Sequence, residues 1–202
     1  MNRREVLVGT ASAITAASAA SASPVTAPAP PPLQAGRRQT ADGTAAREIA
    51  DLAIIQNILA GSALSADIAA TAYQLGIYAD DAVLDVGGLT GEIRGRDAIV
   101  GVIKDDSHKT LRAEGMAHVA SQPHILVKGS RAVAVGYLQI LVPAHTATEE
   151  ASRSMASSVP LVISRLTANR WEFEIRAGRW QITRRTIRPA PSQEALELLR
   201  LN

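Results

Sequence analysis

Apolar residues recur at three- and four-residue steps early in the chain and at two-residue steps toward its end, and this change of period organises the sequence. In "TAAREIADLAIIQNILAGSAL", Ile49, Leu52, Ile55, Ile58 and Leu59 fall on one helical face, with Thr44 ahead as a candidate cap. A second helix is expected over "DIAATAYQLGIYA", with Asp67 at its start. "DAVLDVGG" reads as a short strand ended by glycines and "GEIRG" as another, while Ile99, Val102 and Ile103 give "GRDAIVGVIKDDSHK" helical spacing. From residue 113 the period is two. "AEGMAHVASQPHILV", "RAVAVGYLQILV", "SVPLVISRLTANRWEFEIRAG" and "RWQITRRTIR" read as four long strands.

"KGSR" and "RAGR" read as tight turns in which Gly129 and Gly178 are free to take positive φ. The polar stretch "PAHTATEEASRSMASSVP" is expected to be a long mobile loop, and "SQEALELLRLN" a short amphipathic helix capped by Ser192. Helices early and strands late predict an α+β fold, a strongly curved antiparallel sheet packed on about three helices. Such a sheet can enclose a small-molecule pocket.

Composition narrows the chemistry. Of 202 residues, 21 are basic and 19 acidic, a net charge of +2. Basic residues are scattered and only six residues are aromatic, which argues against a nucleic-acid groove built on stacking. The absence of cysteine removes disulfides, thiolate nucleophiles and zinc–thiolate sites. The N-terminus, "MNRREVLVGTASAITAASAASASP", has the layout of a signal peptide: paired arginines at Arg3 and Arg4, a weakly apolar run, and small residues at Ala20-Ser21-Ala22. The arginine pair resembles a twin-arginine export signal, which implies a periplasmic or extracellular location. An alanine-rich tail is the alternative, and serines and threonines interrupt the run too often for a permanent membrane span. The expected division is 1–22 signal, 23–43 a Pro/Ala-rich linker, 44–190 the folded domain and 191–202 a C-terminal helix and tail.

Two of the four histidines, His118 and His124, lie in "EGMAHVASQPHILVKGSRA". In an unbroken strand their even separation puts them on one face, but Pro123 implies an edge or bulge that can reset the register. His108 and His145 read as solvent-exposed, in a helix end and a loop. No pair of histidines has ligand-like spacing beside a carboxylate, so no metal site is expected.

The succession "IADLAIIQNIL", "YADDAVLDV", "IRGRDAIVGVI", "MAHVASQPHILVKGSRAVAVGYLQI" and "RWEFEIRAGRWQITRRTI" resembles the SnoaL-like branch of the nuclear-transport-factor-two-like superfamily, over about residues 45–188. The resemblance implies a cone-shaped fold with a pocket at its wide end and a homodimeric assembly. It also implies a cofactor-free dehydratase, isomerase or cyclase chemistry on a small apolar molecule. In the family's enzymes, scytalone dehydratase-like and polyketide cyclase proteins among them, an aspartate and a strand histidine act together. By position His118 matches that histidine and Asp67 the aspartate.

Each has a second reading. Asp67 could be an ordinary helix cap, because the family's usual cap position is Ala70 here, and His118 could be a half-buried strand histidine. Tyr73, Tyr78 and Tyr137 are candidate donors to a developing oxyanion, and Trp171, on one strand face with Phe173 and Ile175, reads as pocket wall or core. The same fold also serves as a non-catalytic binding or dimerisation module, or as a structural subunit such as those of ring-hydroxylating oxygenases.

Overall fold

The computed structural model describes residues 41–88, 91–144 and 160–201. The expected signal peptide, most of the linker and most of the polar loop, including His145, lie outside the described residues. Helix α1 spans Ala41–Asp67, followed by α2 (Thr71–Ile77), β1 (Tyr78–Asp85) and β2 (Glu92–Arg94). A helical segment then runs through α3 (Arg96–Gly101), a 3-10 turn (Val102–Lys104) and α4 (Asp106–Ala113). The strands β3 (Ala117–Ala120), β4 (His124–Lys128), β5 (Arg131–Pro143), β6 (Leu161–Arg176) and β7 (Arg179–Pro189) precede the final helix α5 (Gln193–Leu198).

The strands form one curved sheet in the order β2-β1-β7-β6-β5-β3, with β4 also paired to β5. The sheet is mixed rather than antiparallel throughout, because β1 lies parallel to β7. Tight turns join β4 to β5 and β6 to β7. Gly129 and Gly178 take φ of 61° and 75°, which most other residues adopt only at a cost. Ser192 caps α5 by accepting the Ala195 N–H at 3.0 Å.

Four local expectations are corrected. Helix α1 begins at Ala41, ahead of Thr44, so Thr44 lies within it and is not its cap. Asp67 ends α1 rather than starting the next helix, because Ala69 adopts φ of 52° and turns the chain there. The stretch 96–113 is not one helix: Asp105 is extended, at φ −63° and ψ 151°, and restarts it in a new direction.

Finally, the first long strand is two strands. His118 pairs with Ile140 and His124 with Val135, so six steps on one strand face five on the other. The extra residue falls at the Ser121–Pro123 break, a bulge that reverses which side chains face inward. The Ser121 hydroxyl there accepts the Tyr137 N–H at 2.9 Å. His118 therefore faces the concave side and His124 is exposed.

The core gathers Ile55, Ile58 and Leu59 of α1 with Tyr78, Ala82 and Leu84 of β1 and Trp171, Phe173 and Ile182 of the sheet. Helix α1 is long and apolar enough by composition to cross a membrane, yet its face bearing Ile55, Ile58 and Leu59 is buried against the sheet. Burying an aliphatic or Phe side chain of this kind stabilises by about 1.5–3 kcal/mol. That packing fixes where the C-terminal end of α1 sits.

Candidate active site

Between the helices and the concave face of the sheet lies a cavity of about 530 Å³. Leu59, Leu84, Val86, Ile99, Ile103, Met116, Leu138 and Ile187 make most of its wall apolar. His118 lines it, held by Asp67, which ends the helix packed above. The Asp67 carboxylate accepts the backbone N–H of His118 at 3.0 and 3.1 Å. It also accepts the ring Nδ1–H at 2.6 Å. Both side chains are largely sheltered, at 10% and 17% exposure for His118 and Asp67.

A carboxylate at the C-terminal end of a helix faces the negative pole of the dipole, an unfavourable placement by about 0.3–1 kcal/mol. The two donors from His118 offset it. Asp67 is thus no cap for α2, whose start at Ala70 has no side-chain hydrogen bond.

Because Nδ1 is committed to the carboxylate, a neutral His118 carries its free lone pair on Nε2. Burial pushes the His118 pKa below its ordinary value of 6.5, against the upward pull of Asp67. The positive charge of Arg185 adds to the downward shift. At neutral pH the ring is therefore an uncharged base with a fixed tautomer.

Residues that the periodicity did not reveal complete the site. His108, expected in solvent, instead lines the cavity, donates Nε2–H to the Ala66 carbonyl at 3.1 Å and stacks on His118. The ring centroids are 5.9 Å apart and the planes 19° from parallel. The kink at Asp105 brings it there, and "DDS" within a helical run, two acids and a serine typical of a helix start, was the available signal.

Arg185 also lines the cavity, over the Trp171 ring at 5.5 Å from its centroid. Its Nε and one terminal nitrogen donate to the Oδ1 of fully buried Asn169 at 3.1 and 2.8 Å. Simple alternation from buried Ile182 would have turned Arg184 inward. A bulge at Thr183 puts Arg185 on the inner face and leaves Arg184 to pair with Asp85 and Glu92.

The four aromatic candidates divide. Tyr78 is buried and Trp171 nearly so, and both line the cavity. The indole N–H of Trp171 has no hydrogen-bond partner, an unsatisfied donor that costs about 1–3 kcal/mol when buried. Tyr73 is turned away: its hydroxyl packs on Gly61 and donates to the Asn57 carbonyl at 3.2 Å. Tyr137 is 37% exposed on the outer side of β5 and does not reach the cavity. Neither can serve as an oxyanion donor. Among the described residues no cluster of histidine and acidic side chains could hold a metal ion.

With fold and site in view, a model of the SnoaL-like domain matches residues 47–186. The chain belongs to the SnoaL-like family. No curated protein matches it. Among solved structures, this SnoaL-like chain is similar to a nuclear-transport-factor-two-like protein with a cystatin-like fold from Novosphingobium aromaticivorans. The two share 23% identity at a TM-score of 0.71, covering 81% of this chain and 98% of that one. It is also similar to a hexachlorocyclohexane dehydrochlorinase, LinA-type3, from Novosphingobium barchaimii. There the identity is 17% and the TM-score 0.55, over 71% of this chain and 88% of that one. At these identities the likeness establishes the fold.

Proposed function

We propose that this SnoaL-like protein is a cofactor-independent lyase or isomerase in which His118 removes a proton from carbon. The observation that carries the reading is His118 on the wall of an apolar cavity, with its Nδ1 held from behind by Asp67. His118 Nε2 takes a proton from a carbon next to a carbonyl, and Asp67 stabilises the imidazolium that results. The electron pair left on carbon moves into the carbonyl. The oxyanion so formed meets the Arg185 guanidinium and the unpartnered Trp171 N–H. As the carbonyl re-forms, the electron pair either expels a group from the neighbouring carbon, which takes the proton from the imidazolium, or takes that proton from the imidazolium at another carbon conjugated with the enolate. The first is elimination and the second isomerisation. A fold neighbour carries the name of a dehydrochlorinase, which is in keeping with the first outcome.

Exchange in D₂O tests this without a known substrate. Small apolar ketones are incubated with the protein, and loss of the proton next to the carbonyl is followed by NMR. Wild type should accelerate exchange for at least one ketone, and His118→Ala should lower that rate by about a hundredfold or more while binding persists. Exchange unchanged in His118→Ala would refute the role of His118. Binding without exchange in wild type would favour a non-catalytic module of the same fold.

A further inference from the structure

We infer that the cavity takes an apolar molecule carrying one carboxylate, and that Arg165 at the mouth grips that group. The inference rests on the proposed reading of the His118 site and adds its substrate class. Among the described residues, the cavity wall contains two arginines, Arg165 and Arg185, and not one aspartate or glutamate. On the same two strands, Arg170, Arg176, Arg184 and Arg188 each pair with a carboxylate: Glu172, Asp81 and Glu174, Asp85 and Glu92, and Asp85 and Glu194 respectively. Among the described residues Arg165 and Arg185 have no such partner, and Arg179, which also lacks one, stands in solvent at the β6–β7 turn. Two uncompensated guanidiniums on one apolar wall favour an anion over a neutral ligand, since a charge-assisted hydrogen bond is shorter and stronger than a neutral one.

Register separates the roles of the two. His118 of β3 pairs with Ile140 of β5, and Ile140 pairs with Arg165 of β6, so the three form a row across the sheet. All three line the cavity. Two strand spacings put the Arg165 and His118 backbones about 10 Å apart. Side chains of that length leave room for a short carbon skeleton between an imidazole and a guanidinium. Arg185, opposite Trp171 further along β7, is tied by Asn169 beside the reacting end. The Arg165 side chain is exposed and makes no hydrogen bond or ion pair among the described residues, so it is free to close on an incoming anion.

The test is a binding comparison by calorimetry at low salt, using 4-oxo-4-phenylbutanoate and its methyl ester. The acid should bind wild type about tenfold or more tightly than the ester, as expected for one added charge-assisted contact. Arg165→Gln should bring the acid down to the ester's affinity, Arg165→Lys should restore part of the preference, and added salt should weaken the acid alone. Ester binding equal to or tighter than acid, or an acid preference untouched in Arg165→Gln, would overturn the inference, as would failure of both compounds to bind. Because binding is read rather than turnover, the His118→Ala variant should keep the acid preference. A failed exchange assay and a failed acid preference are thus separate results.

Discussion

Replacing Asp67 separates its two contributions, holding the chain end in place and holding the ring. In Asp67→Ala the His118 backbone N–H and the Nδ1–H both lose a charged acceptor. Hydrogen bonds to charged groups are each worth about 1.5–3 kcal/mol, and two on one carboxylate add less than fully. Relief at the negative end of α1 returns about 0.3–1 kcal/mol. The net cost should be about 2–4 kcal/mol. For a domain of this size that lowers Tm by about 5–15 °C. Asp67→Asn keeps one acceptor oxygen and should lose roughly half as much.

The ring should respond differently. Asp67 raises the His118 pKa against burial, Arg185 and His108. In Asp67→Asn the imidazole should therefore titrate at a lower pH still. NMR of the histidine ring protons reads this, and urea unfolding reads the stability. The sign for stability follows: a histidine depressed in the folded state contributes stability that is present above 6.5 and is lost as pH falls through the folded pKa. An Asp67→Ala loss under about 0.5 kcal/mol, or a His118 titration that is unmoved or raised in Asp67→Asn, would refute the pairing.

At Gly61 a Cβ would lie 2.1 Å from the Tyr73 hydroxyl, so Gly61→Ala should destabilise by about 1–3 kcal/mol in chemical unfolding, despite alanine's better helix propensity. In a Tyr73→Ala background the same change should become neutral or stabilising by about 1 kcal/mol, and a cost that persists there would place the clash elsewhere. The Arg188 hydrogen bond, aided by Gly87 and the Arg184 charge, holds the Asp85 pKa below its ordinary value of 3.8. Its stabilisation is therefore present above 3.8 and lost as pH falls through the folded value, and Asp85→Asn should flatten the acid limb of a Tm-against-pH curve. Full-length chain expressed in a bacterium with a twin-arginine system should appear outside the cytoplasm, and Arg3→Lys with Arg4→Lys should retain it inside; equal export of both would set aside the twin-arginine reading.

Much of the frame was legible because it rests on local periodicity. The α1 face of Ile55, Ile58 and Leu59, the turns at Gly129 and Gly178 and the Ser192 cap are each dictated by neighbours in sequence. His118 and Asp67 were placed by the order of motifs, and nothing local distinguished their roles. Asp67 stands just before the turn that ends α1, where a cap for the next helix would also stand. Only the distance to a strand 51 residues away tells the two apart.

The residues that were missed share a physical cause. Arg185 and His108 each depend on a break in the regular period, an inserted residue at Thr183 and an extended Asp105, whereas the bulge before His124 was signalled by Pro123. Period-two reasoning carries a parity along each strand, and one inserted residue inverts it for everything beyond. These breaks adjoin the cavity. The bulge at Thr183 turns one arginine to the interior and releases the next to Asp85 and Glu92. A regular β7 would turn Arg184 inward instead, away from those two carboxylates, and Arg185 outward, away from Asn169. The irregularity therefore puts one arginine beside the His118 site while leaving the preceding one paired with Asp85 and Glu92.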